Sequence, residues 1–121
     1  MRAHSIDLQW PMAETLNANQ RLHWTARSAR TRNLRQVAYL RGRGVAPMQR
    51  AHVTVAIGWP DKRRRDAHNL IPTIKACIDG FVDAGVLPDD SDAHLVGPDL
   101  RPFIAGIKGN VHLTFVFEEI Q

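Results

Sequence analysis

The chain has a single cysteine, Cys77. No intrachain disulfide can form, so a disulfide-stapled secreted scaffold is excluded and a reducing cytoplasm is the expected compartment. Nor is there an apolar run near the roughly 20 residues needed to span a bilayer, so no membrane partner is expected. The first residues, "MRAHSIDLQWP", lack the apolar core of a signal peptide. Glycine-rich phosphate loops are missing, and six histidines with one cysteine make no spaced zinc motif. Ser91 has no evident His/Asp arrangement for nucleophilic catalysis. Internal repeats and low-complexity segments are also lacking. What remains, at 121 residues, has the length of one domain with one modest core.

Carboxylates are scarce in the first half of the chain. Residues 1–65 carry 13 Lys/Arg against Asp7, Glu14 and Asp61, a net of +10. Residues 66–121 carry Lys75, Arg101 and Lys108 against nine carboxylates, a net of −6. Twelve of the 16 cations lie between Arg21 and Arg65. A block of one sign points to a polyanion-binding surface, and nucleic acid is the commonest polyanion. A generic solvated basic face is the plainer alternative.

Periodicity divides the chain into strands and two main helices. "SIDLQWP" alternates as a strand closed by Pro11. "MAETLNANQRLHW" has no clean period and reads as a loop. A helix follows from a Thr25 cap through residues 26–44, with Leu34, Val37 and Ala38 as its apolar face and Gly42 and Gly44 as its stop. Arg27, Arg30, Arg32 and Arg35 spread around the rest. "AHVTVAIGWP" puts Val53, Val55, Ile57 and Trp59 on one strand face. The second helix, over 69–85, has Asn69 as N-cap, Pro72 in its first turn and Gly85 as C-cap. Its buried stripe is Leu70, Ile74, Cys77, Ile78 and Phe81, which makes Cys77 inert. A short strand is expected over 94–97. A hairpin over 102–119 with a Gly109–Asn110 turn places Val111, Leu113, Phe115 and Phe117 together. Strands and helices mix without regular alternation, so the expected class is α+β, a small mixed sheet with two main helices.

Two charged knots carry the chemistry. "DKRRRDAHNL" sets Lys62, Arg63, Arg64 and Arg65 between two aspartates, and "LPDDSD" has three carboxylates in four residues. Asp66 and His68 precede the second helix, while Asp89 and Asp90 follow it, roughly 22 Å away along its axis. They meet only if the chain turns back beside the helix start. Together they would make an oxygen-rich cluster with one nitrogen, suited to Mg²⁺ or Mn²⁺. Surface pairing with arginine is the alternative for Asp66 and Asp90, and turn chemistry for Asp89 and Asp92. His68 can instead cap the helix beside Asn69. Lys75 sits at the margin of the apolar stripe, either snorkelling to solvent or aimed at a phosphate or leaving oxygen. Asp79 and Asp83 read as ordinary surface helix charges.

The span "RRRDAHNLIPTIKACIDGFVDAGVLPDDSD" resembles the core of the RusA-type Holliday junction resolvases, and "LNANQRLHW" with the arginine helix resembles phage-type members. Asp66, Asn69, Lys75, Asp79–Gly80, Ala84–Gly85 and Asp89–Asp90 follow that family's order of elements. The resemblance implies a RusA-like domain over 1–121 that nicks opposed strands of four-way DNA junctions as a homodimer, in a bacterial cell or phage-infected host. It implies Asp66 and Asp90 as metal-binding catalytic carboxylates and Lys75 as a functional lysine. His68 would complete the metal set, with Asp89 or Asp92 supplying the charge it lacks and Mg²⁺ or Mn²⁺ as cofactor. DNA contacts would come from Arg27, Arg30, Lys62, Arg63, Arg64, Arg65 and Asn69. His68 departs from the pattern, standing where a second carboxylate is usual. Two alternatives stay open: a catalytically weakened junction-binding relative, and a nuclease of the same fold acting on other branched DNA or on RNA.

Overall fold

The sheet is built from strands that each bury one side. In the computed structural model, which describes residues 2–104 and 109–121, strand β1 spans Ala3–Pro11 and buries Ile6, Leu8 and Trp10. Helix α1 spans Trp24–Gly42, strand β2 Ala51–Trp59 and helix α2 Ile71–Asp83. Strands β3, Leu95–Ile104, and β4, Asn110–Glu119, complete the chain. The four strands form one mixed sheet in the order β1-β4-β2-β3. The β1/β4 and β4/β2 pairs are antiparallel and β2/β3 is parallel. This is the α+β arrangement expected.

Both helices lie on one face of the sheet. Val53, Val55 and Ile57 of β2 and Val111, Leu113, Phe115 and Phe117 of β4 are essentially inaccessible. Phe81 of α2 meets Phe115 and Phe117 edge-on, with ring centroids 5.0 and 5.5 Å apart, a favoured aromatic geometry. On the opposite face His52, Thr54, Ala56, His112, Thr114 and Val116 are half-buried. Between the helices, Gly80 packs so closely that a β-carbon there would lie 2.2 Å from the Arg35 carbonyl oxygen. No described helix is long and apolar enough to cross a membrane.

Four local expectations need correction. The 102–119 hairpin does not form, because β2 lies between β3 and β4; residues 105–108 of that span lie outside the described residues. Pro98 and Pro102 explain the outcome, since a strand lacking two N–H donors belongs at a sheet edge. The strand expected over 94–97 is the start of this longer β3. Asn69 does not cap the second helix: a 3-10 turn over Ala67–Leu70 precedes it, and Asp66 is that turn's cap, accepting from the His68 N–H. His23, not Thr25, caps α1 by accepting from the Thr25 N–H. Helix α1 ends at Gly42 as expected, with Gly44 at φ +89° just beyond, and Gly42 is buried against Phe81, Ala84 and Val86.

Candidate functional site

Loop 61–65 is folded by Asp61. Its carboxylate accepts from the Arg63 N–H at 2.9 Å, and both oxygens lie 3.2 Å from Arg65 Nη2. These bonds, the Arg63 N–H first, hold the Asp61 carboxyl below the usual carboxylate range. The Arg65 guanidinium sits over the Trp59 indole, 5.2 Å from the ring centroid, a cation–π placement. So Arg65 is a fixed part of the wall, while Lys62, Arg63 and Arg64 are exposed.

The next turn positions Asp66 and His68. Asp66 is extended, and its Oδ1 accepts from the His68 N–H at 3.0 Å. The same oxygen lies 3.4 Å from His68 Nδ1. The Asn69 N–H donates to the Asp66 carbonyl, and the Asn69 carbonyl accepts from the Ala18 N–H at 2.9 Å. One turn into α2, the buried Thr73 hydroxyl accepts from the Leu16 N–H at 2.7 Å and donates to the Leu16 carbonyl at 2.6 Å. Arg30 adds a bond to the Thr15 carbonyl at 3.1 Å. Loop 15–20 is thereby stitched to the start of α2. Between them opens a cavity of about 610 Å³ lined by Asn17, Trp59, Arg64, Arg65, Asp66 and Asn69.

Lys75 belongs to a separate trio. Its Nζ donates to Asp79 Oδ1 at 2.6 Å and, at closer range, to Asp90 Oδ2. The two carboxylates raise the Lys75 pKa, Asp79 contributing most, and the ammonium holds Asp90 below its usual range. Asp89 is exposed beside Asp90. No ion pair among the described residues joins this trio to Asp66 or His68. The chain after Gly85 folds back so that Asp90 meets Lys75, in the second turn of α2.

Among the described residues no three His, Cys, Asp or Glu side chains converge as a metal-binding group. Asp66 and His68 do supply an oxygen and a nitrogen at adjacent positions. Two cis ligands at the roughly 2.1 Å of an octahedral Mg²⁺ sit about 3.0 Å apart, close to the 3.4 Å observed. Such a cation commonly takes one or two protein ligands and completes its shell with water and substrate phosphate oxygens. The pair fits as part of a site of that kind.

Of the arginines expected to face DNA, Arg27 lines a groove of about 430 Å³ along α1 with Ser28, Thr31, Arg32 and Arg35. Arg35 is engaged across the helix pair, its Nε and Nη2 donating to Asp83 at 2.5 and 2.8 Å. Arg30 is spent on the Thr15 carbonyl.

No protein-family model matches the chain, and no curated protein sequence matches it. Among solved structures it is similar to a thiamine-monophosphate kinase from Stenotrophomonas maltophilia K279a, at 16% identity and a TM-score of 0.30, over 97% of this chain. The chain spans 31% of that structure's length, and a likeness so slight carries no argument.

Three residues do more than their sequence pattern predicts. Asn17 lay in a loop without period; its signal was the "LNANQ" turn chemistry, since Asn17 Oδ1 accepts from the Asn19 N–H. Trp59 has the pattern of a core strand residue, yet it also lines the cavity. Asp83 read as a surface charge, and nothing in the sequence pairs it with Arg35, 48 residues away.

Proposed function

We propose that this chain is a divalent-metal-dependent endonuclease of branched DNA, nicking opposed strands of four-way junctions in the cytoplasm of a bacterial cell or phage-infected host. The observation that carries the reading is the shared cavity: Asp66, beside His68, opens onto the same space as Arg64 and Arg65. A carboxylate that must approach a phosphodiester needs such cations, or repulsion would exclude the substrate. Arg64, with Lys62 and Arg63 beside it, would hold the backbone phosphates. Asp66 and His68 would bind Mg²⁺ or Mn²⁺, which when bound neutralises phosphate charge and lowers the pKa of a water. The approximate two-fold symmetry of a junction suits a two-fold dimer that offers one site to each of two strands.

A second reading has its own support. Asp90 is occupied by Lys75 and stands apart from the Asp66–His68 pair, as expected of a relative that binds junctions but cuts them slowly. Asp66→Asn separates the two. Asparagine keeps an oxygen to cap the turn, so folding and junction binding should persist. Nicking in Mg²⁺ or Mn²⁺ should fall by orders of magnitude. Equal nicking by Asp66→Asn and wild type would remove Asp66 from the site; wild type that binds but never nicks would leave the binding reading.

A further inference from the structure

A surface that only tracks phosphates needs cations and room. The cavity beside Asp66 has more than that. It holds two carboxamides, Asn17 and Asn69, and an apolar wall from Met12 and Trp59. Its size, about 610 Å³, lies within the range of small-molecule sites, which combine apolar walls with a few fixed polar groups.

The polar groups are fixed and partly unspent. Asn17 Oδ1 is committed to the Asn19 N–H at 2.8 Å, so that side chain offers its Nδ2 donors. Asn69 uses its backbone N–H and carbonyl for the turn and for loop 15–20, which leaves its carboxamide with both donor and acceptor. Arg65 has one face on Trp59 and one nitrogen on Asp61. Its Nε–H is buried and has no partner among the described residues, where buried donors are normally satisfied. A flat guanidinium and two amides together match a flat, polar-edged ring better than a phosphate alone. Guanidinium planes stack on unpaired bases, and amides read base edges.

Resting on the nuclease reading above, we infer that this cavity takes one unstacked nucleotide of the bound DNA strand. The base lies against the Arg65 guanidinium with Asn17 and Asn69 on its edge, and Arg64 holds the adjoining phosphate. The cavity would then set which phosphodiester reaches Asp66. Bases are easiest to unstack where strands exchange at a branch point, because pairing is already weakened there.

The test uses the full chain, four-way junctions without divalent metal, and 2-aminopurine placed at one position at a time around the branch. Binding should brighten the probe several-fold at one position per bound strand. An abasic site at that position should cost wild type about ten-fold in affinity, as loss of one stacked and hydrogen-bonded base does. In Asn69→Ala, whose turn bonds are all backbone, the same abasic site should cost much less, because part of the contact is already gone. Salt-dependent binding with no brightening at any position, or equal abasic penalties in both proteins, would overturn the inference and leave the nuclease reading standing. Failure to bind junction, fork or duplex at low salt would overturn both.

Discussion

Gly80→Ala tests whether the two helices meet backbone to backbone. A β-carbon at Gly80 would lie 2.2 Å from the Arg35 carbonyl oxygen, 2.8 Å from Ala38 Cβ and 3.0 Å from Tyr39 N. The first of these is backbone of α1 and cannot swing aside. Ordinary carbon–oxygen contact is near ~3.3 Å, so the helices must separate by about 1 Å, loosening the seam where Leu34, Ala38 and Phe81 are buried. Overpacking of this kind costs roughly 1–3 kcal/mol, and a backbone clash belongs at the upper end. Alanine returns up to about 1 kcal/mol through its better helix propensity. The net expectation is about 2 kcal/mol of destabilisation, a fall in melting temperature of roughly 6–10 °C for a chain of this length. Thermal and urea denaturation, followed by far-UV circular dichroism, measure it. Gly85→Ala is the control. Gly85 has φ +87° with open space around it, so alanine there costs only the strained backbone, about 1 kcal/mol. A Gly80→Ala protein as stable as wild type would refute the close approach, and with it the account of how the arginine helix is held against the helix that carries Lys75.

Three further outcomes are expected. Changing Lys62, Arg63 and Arg64 together to Ala should weaken junction binding and reduce the slope of log affinity against log salt by up to roughly 2.7, about 0.9 per phosphate contact; an unchanged slope in a filter-binding titration would mean these cations face elsewhere. Lys75→Met removes the ammonium that depresses Asp90, so NMR titration should show the Asp90 carboxyl moving up toward the ordinary range, and no movement would contradict the trio. Asp83→Asn breaks the tie to Arg35. Because Arg35 depresses the folded Asp83 pKa, its contribution is present above the unfolded value near ~3.9 and is lost as pH falls through the folded one. Both partners are more than a third exposed, so the wild-type advantage should be only about 0.5 kcal/mol at neutral pH and low salt. It should close in urea melts taken progressively below pH ~4, and a constant gap down to pH 2 would refute the assignment.

Elements defined by their own side-chain pattern were legible in the sequence. Ile74, Cys77, Ile78 and Phe81 are buried as the α2 stripe, with Leu70 buried just before it, because a 3.6-residue period needs no knowledge of the partner. The same holds for the alternating faces of β2 and β4. Gly85 was readable as a C-cap because a positive φ selects glycine; its N–H bonds the Val82 carbonyl at 2.9 Å and the Val86 N–H the Phe81 carbonyl at 3.0 Å. Strand order was not readable that way. A glycine-asparagine pair between two apolar runs favours a local hairpin, but β2, from 50 residues earlier in the chain, takes the place beside β4. The deciding signal was negative, two prolines in β3, and it says where a strand cannot lie rather than what it joins.

The geometry of the candidate site was legible only in part, for the same reason. Asp66, His68 and Asn69 are neighbours in sequence, so any turn keeps them together, and the 3-10 turn does. Asp90 is different, because its position depends on how far the chain runs back along α2 after Gly85. Met48 settles part of that path by donating its N–H to the Val86 carbonyl at 2.9 Å, anchoring the exit of α2 to the segment before β2. From there the reach of residues 87–90 brings Asp90 to Lys75, and the Lys75 ammonium captures it. Electrostatics explains why it stops there. Lys75 is the one cation in α2, and its ammonium serves two carboxylates. Moving Asp90 up to Asp66 would break that contact and set two like charges together, which is costly unless a cation sits between them. A divalent ion is such a cation. On the nuclease reading, Lys75 holds Asp90 ionised beside the second turn of α2, and a divalent ion would be the charge that draws it toward Asp66.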